Sequence, residues 1–292
     1  MDTKRFGFMK VLCVSLPLVF AAGCATEKTT SSGTVGVERQ QTMLLSSAEV
    51  NAQAAQAYAS VIAEAKGLNA LNRNATITQR VRRVFTRLIP KTSTFRADAP
   101  GWQWEVNVIS SDEVNAWCMP GGKMAFYTAI VEDLKMTDDE IAAVMGHEMA
   151  HALREHGREK ASQAAGVSVL SQIGGQIISA RTGISADSTQ KALEKVGDLA
   201  FMRPNSREME QESDRIGVEL AARAGYNPKG AITLWEKMAK LSEGSGPEWL
   251  STHPSHTARI ADLTAYAERV MPLYQEARGA GRGRVRAAPA KK

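Results

Sequence analysis

His147 and His151 lie four residues apart in the stretch VMGHEMAHALREHG, and Glu148 directly follows the first. On a helix that spacing puts two imidazoles on one face, roughly 6 Å apart at Cβ. Rings so placed can reach one ion at Zn–N distances of about 2.1 Å. Glu148 projects beside them, where a carboxylate can take a proton from water. This is the H-E-x-x-H zinc pattern, and its chemistry is hydrolysis by an activated water. The neighbours Val144, Met145, Ala150 and Leu153 are apolar. Histidines buried among them without a partner would cost several kcal/mol, so a metal partner is expected.

Two protein ligands do not complete a catalytic zinc, which takes three and leaves one position open. The H-E-x-x-H-x-x-G-x-x-H continuation needs Gly at 154 and His at 157, where the chain has Arg154 and Gly157. His156 falls five residues after His151, off the shared face, and reads as a surface residue. The acidic run SREMEQESD offers Glu210 and Asp214 at helical spacing, one as a ligand and the other to hold the outer nitrogen of a ligand histidine. On spacing alone Glu208 and Glu212 are alternatives.

The elements that must carry these residues are mostly helical. Thr137 and Glu140 form a capping-box pattern, with Asp138 and Asp139 in the first turn, so a helix should run through both histidines and on to Lys160. SSAEVNAQAAQAYASVIAEAKG reads as an alanine-rich helix closing on Gly67. In NATITQRVRRVFTRLIP, Ile77, Val81, Val84, Phe85 and Leu88 recur at helical spacing up to Pro90. WQWEVNVIS and KMAFYT read as two strands, expected to pair as a small antiparallel sheet. From Ala164 to Gly183 the chain is apolar but broken by glycines, so it is not a membrane span. Helix resumes from Ser188, and two further helices follow. The absence of β-α-β alternation excludes a Rossmann-type fold and leaves α+β, mainly helical, with a small sheet.

The ends differ from the middle. The first ten residues are charged and VLCVSLPLVFAA is an apolar run of twelve, as in a signal peptide over 1–23. Ala22-Gly23-Cys24 resembles a bacterial lipobox, which makes Cys24 the lipidated mature N-terminus. By that resemblance Ala25, which is not aspartate, favours the outer membrane over inner-membrane retention. Residues 24–45 read as a flexible tether, 46–277 as the catalytic domain and 278–292 as a basic disordered tail. The net charge of +5 sits at these ends, so it does not imply a nucleic-acid partner. Once Cys13 leaves and Cys24 is modified, only Cys118 remains, which excludes an intramolecular disulfide. Cys118 itself reads as a small buried hydrophobe.

HEMAH, followed about sixty residues later by EQESDRIG, resembles the zinc metallopeptidase (gluzincin) family of the CAAX prenyl protease, with HtpX, BepA and LoiP among its bacterial members. NAWCMPGGKMAFYTAIV resembles the strand turn before that family's zinc helix, and STHPSHTARI resembles its later H-P…R-I element. The resemblance implies one zinc per chain on His147, His151 and Glu210, with Asp214 behind them and Glu148 as catalytic base. It places His253 near the metal cleft and Arg259 near the bound substrate, where either could stabilise an oxyanion. His253 could instead fill the open zinc position and hold the enzyme off. KMAFYT is the candidate for an exposed edge that pairs with extended substrate. The role implied is proteolytic quality control of unfolded or misassembled envelope proteins, from a periplasm-facing lipid anchor. The alternative is a chaperone-like outer-membrane assembly factor with little proteolysis, partnered with the assembly machinery.

Overall fold

The computed structural model describes residues 26–166, 204–241, 247–254 and 258–286, with side chains through 279. The leader, Cys13, Cys24, His256, the helical reading of 188–203 and most of the stretch 164–183 lie outside the described residues. The architecture is α+β and mainly helical.

Helix α1 (Ser47–Gly67) opens on a reciprocal cap between Ser46 and Glu49 and buries Val50, Ala54 and Tyr58 on one face. Helix α2 (Ala75–Leu88) is capped by Asn74, and the five apolar residues singled out by spacing are all buried. Pro90 sits in the 3₁₀ segment that ends it. Strands β1 (Thr26–Glu27) and β2 (Gln41–Thr42) form a small antiparallel pair. The main sheet has β3 (Glu105–Ile109), β4 (Ala116–Met119) and β5 (Lys123–Tyr127) in the order β3-β5-β4.

That sheet is mixed, not antiparallel. WQWEVNVIS and KMAFYT do pair, but in parallel, through β3 and β5. The antiparallel partner of β5 is β4, which belongs to the segment read as a turn. The reason lies in Gly121 and Gly122, whose φ values of 78° and 83° close a tight hairpin. Such a hairpin joins the two strands that flank it, and of the two edges this leaves, the preceding strand docks on that of β5. KMAFYT is therefore central. The outer side of β3 is covered by residues 70–72, with Asn72 N–H donating to Val108 O at 2.7 Å and Ser110 N–H to Ala70 O at 2.8 Å. Among the described residues, β4 pairs only with β5.

After short α3 (Thr128–Glu132) comes α4 (Asp138–Leu153), which carries the Thr137–Glu140 cap and is buried from Glu140 to Leu153. It ends earlier than the sequence suggests. Glu155 has a left-handed φ of 50°, and a new helix, α5, runs over 156–166. Helix α6 (Arg207–Arg223) crosses α4 backbone to backbone at Gly146 and Gly217. A Cβ on Gly217 would lie 2.7 Å from His147 N, and one on Gly146 would lie 2.7 Å from Gly217 O. Helices α7 (Gly230–Leu241), α8 (Trp249–Thr252) and α9 (Arg259–Arg286) complete the body.

Two domain boundaries differ from expectation. From residue 26 onward the expected tether is a strap packed on the body. Val35, Val37 and Met43 are buried, Gln41 is fully buried, and Val35 N–H donates to Glu219. Its small polar residues conceal this, because they are satisfied by distant partners. At the other end α9 continues to Arg286, so the expected disordered tail is helical over its first nine residues.

Candidate metal centre

Helix α4 presents His147 and His151 from one face, and the α4–α6 crossing brings Glu210 and Asp214 against them. Ser206 caps α6 and holds its first turn, where Glu210 sits. The His147 and His151 Nε2 atoms are 3.0 Å apart. Glu210 Oε1 lies 3.3 Å from His151 Nε2, and Oε2 lies 3.4 Å from His147 Nε2. His253, from the end of α8, adds Nδ1 at 3.1 Å from His147 Nε2 and 3.0 Å from Glu210 Oε1. One ligand atom from each of the four residues lies within 4.8 Å of all the others.

These donors fit a zinc ion. Bonds of about 2.1 Å in a tetrahedron give ligand–ligand edges of about 3.4 Å, close to the observed spacings. Glu210 Oε2 is buried and has an ion-pair contact with Arg259 Nη1 at 2.8 Å but no well-aligned hydrogen bond. Three buried carboxylates, Glu148, Glu210 and Asp214, surround the group against one buried guanidinium, Arg259. A dication balances that excess. Without one, burial disfavours charge on His147, but Glu210 and Asp214 outweigh it and hold the imidazole up at about 9. Burial pushes His151 well down.

Each ligand histidine has a partner on its outer nitrogen. His147 Nδ1 is 2.9 Å from Asp214 Oδ1, and Asp214 accepts from Arg259 Nη2 at 2.8 Å, with Arg259 Nε in ion-pair contact at 2.7 Å but without a well-aligned hydrogen bond. His151 Nδ1 is 2.8 Å from His156 Nδ1. His156, expected at the surface, is 1% exposed. The left-handed break at Glu155 turns the chain and carries His156 back over the end of α4. No turn residue marks that break. Glu155 is held in it by Arg96 and Arg158.

Glu148 stands beside the ligand group, not within it. Its Oε1 accepts from Trp249 Nε1 at 3.0 Å and lies 3.3 Å from His253 Nε2. It lines a cleft of about 550 Å³ with Trp117, Met119, Tyr127, Lys160 and His253. Burial pushes the Lys160 ammonium down to about 8.

Arg259 does not reach this cleft. Its guanidinium lies 3.7 Å from the Trp235 ring centre and is enclosed by Glu210, Asp214 and the Pro254 carbonyl. Two buried carboxylates capture it, so it stands behind the metal ligands and not beside a substrate. Of the acidic alternatives, Glu208 is exposed, and Glu212 faces His156, Arg39 and Arg154. Cys118 is half-buried, and burial pushes its thiol well up, which is no setting for a nucleophile. Trp249, Lys160 and Asn205, which donates to Glu210 Oε1 at 2.8 Å, were not legible in the sequence. They precede or follow the motifs and carry no spacing signal of their own.

Residues 75–267 match peptidase family M48. The chain belongs to that family. Over 180 residues it is 37% identical to the mitochondrial metalloendopeptidase OMA1 of Arabidopsis thaliana, covering 60% of this chain and 34% of that one. The yeast (Saccharomyces cerevisiae) OMA1 is 33% identical over 185 residues, covering 60% and 50%. The beta-barrel assembly-enhancing protease of Escherichia coli is 26% identical over 222 residues, covering 73% and 43%. The chain thus spans between about a third and a half of these relatives' length. M48 peptidases are zinc-dependent, and the His147, His151, Glu210 and His253 group of this M48 chain can hold one such ion.

Proposed function

We propose that this M48 chain is a zinc metalloendopeptidase that cuts unfolded or misassembled envelope proteins. The observation that carries the reading is the placement of Glu148, a buried carboxylate at the junction of the ligand group and the cleft. His147, His151 and Glu210 would hold the zinc, which would supply Lewis acidity to the site. Glu148 takes the proton from the attacking water and later gives it to the leaving amine. Trp249 Nε1–H fixes the carboxylate in place for both transfers. Asp214 and Arg259 orient His147 from behind.

Substrate would enter as an extended segment along β4, the edge strand that lines the cleft with Trp117, Cys118 and Met119. Backbone pairing there reads few side chains, which suits damaged clients. His253 Nδ1 stands where a fourth ligand would, so entry of substrate requires it to leave. This favours a latent enzyme, and it supports the second reading, an assembly factor of the outer membrane that rarely cleaves.

The leader and Cys24 support a periplasm-facing lipoprotein bound to the outer membrane through its lipid, and the HEMAH and EQESDRIG motifs support its likeness to the CAAX prenyl protease. Among the described residues no helix is long and apolar enough to cross a membrane. Casein cleavage by the wild-type chain and by Glu148→Gln and His253→Ala tests the reading, with zinc measured alongside. Glu148→Gln should retain zinc and lose roughly 10²–10⁴ in rate. His253→Ala should be faster than wild type if the histidine blocks the site. Bound zinc with no cleavage by either wild type or His253→Ala would favour the assembly factor.

A further inference from the structure

The ligand His151 contributes its Nε2 to the group, since that atom faces His147 Nε2 at 3.0 Å and Glu210 at 3.3 Å. A metal-ligating imidazole is neutral and offers a lone pair, so its proton sits on the other nitrogen, Nδ1. His151 Nδ1 faces His156 Nδ1 at 2.8 Å. Two N–H groups cannot point at each other, so His156 Nδ1 must be the acceptor. Ser213 Oγ, at 3.4 Å, approaches the same atom as a second donor. The His156 proton then sits on Nε2, which is 2.9 Å from Glu212 Oε2.

Glu212 is itself fixed. Arg39 donates to it at 2.9 and 3.0 Å, and Arg154 at 3.0 and 3.2 Å. Arg39 also holds Glu159, and Gln41 donates to Glu159 and to the Arg154 carbonyl. Arg39 and Gln41 both belong to the strap that follows Cys24. The chain of bonds therefore runs from the metal group to the N-terminal segment, with a single consistent direction for each proton.

We propose that His156 is the positioning residue for the ligand His151, accepting its Nδ1–H while Glu212, clamped by Arg39 and Arg154, fixes the His156 ring. The inference rests on the zinc reading above. Removing such a partner typically costs 10–100-fold in metal affinity.

Asn and Gln separate the two ring nitrogens. His156→Asn places an acceptor at the Nδ1 position and gives up the Glu212 bond. His156→Gln does the reverse. Zinc affinity is measured by chelator competition, and site geometry by the visible spectrum of the cobalt(II)-loaded chain, with thermal melting of each metal-free variant alongside. His156→Asn should stay within about threefold of wild type with an unchanged cobalt spectrum, while His156→Gln and His156→Phe should lose 10–100-fold and shift it. The Asn and Gln pair conserves size and carries the test if the Phe variant does not fold. Equal affinities for Asn and Gln, whether both intact or both lost, would overturn the proposal. A wild-type chain that binds no zinc would instead sink the metallopeptidase reading itself.

Discussion

The two zinc-ligand histidines sit one helical turn apart, yet they are supported by opposite ends of the chain. His147 rests on a carboxylate, Asp214, whose counter-cation Arg259 opens the last helix. His151 rests on a second imidazole, His156, and only then on a carboxylate, Glu212, whose cations are Arg154 at the end of α4 and Arg39 from the strap. Both arrangements answer one requirement, a fixed acceptor for the outer N–H of a ligand ring. The first draws its ligand carboxylate and its acceptor from one helix, because Glu210 and Asp214 share a face of α6. The second needs a helix break, a distant strand pair and three further charged side chains. A local solution leaves a sequence motif, and a distributed one does not.

The sharpest way to break this comparison is to remove the cation behind His147. Arg259 is almost fully buried between two carboxylates, and deleting one partner of such a group strands the others. Arg259→Met should cost about 3–5 kcal/mol in denaturant unfolding of the metal-free chain. A loss under about 1 kcal/mol would show that Glu210 and Asp214 do not depend on it.

Acid should test the other side through Glu212. Burial disfavours the Glu212 carboxylate, but His156 and Arg39 outweigh it and hold its pKa down at about 2. A depressed carboxyl stabilises the fold above its unfolded value near 4.5, and that contribution fades as pH falls through 2. The loss is on the order of 3 kcal/mol across that window. Burial also pushes His156 down, so proton uptake on unfolding adds to the decline from about pH 6.5. Unfolding free energy against pH should have a flatter slope between pH 4.5 and 2 in Glu212→Gln than in wild type. An unchanged slope would mean that the network does not titrate as a unit.

The smallest effect should come from the strap. Arg39 is partly exposed, and Arg154 remains on Glu212 when it goes. Arg39→Met should cost roughly 1–2 kcal/mol and weaken zinc binding by less than about tenfold. A larger zinc effect would make the strap the principal clamp on His151.

Much of this site was readable beforehand because its logic is helical. H-E-x-x-H and E-x-x-x-D each put two groups on one face, and Thr137 with Glu140 announced the helix that carries the first pair. Gly146 and Gly217, which let the two helices touch, gave no such signal, since close approach is a property of the pair and not of either residue. His156 was read as exposed because a continuous helix would have turned it away. The left-handed Glu155 reversed that, and nothing in Glu155 itself favours such a conformation.

By itself, then, the sequence determined the two helices, the donors His147 and His151 and the carboxylate beside them, because regular backbone fixes which side chains share a face; spacing left Glu208, Glu210 and Glu212 open, and the family resemblance singled out Glu210. Tertiary structure alone decided that the strands around the Pro-Gly-Gly turn form a mixed sheet with β4 at its edge. It also decided that Arg259 lies behind the metal ligands and that the strap reaches His151 through Arg39. The sheet order is a choice among open strand edges, and the placements of Arg259 and Arg39 depend on which distant groups can satisfy a buried charge, a demand that appears only once the chain has folded around it.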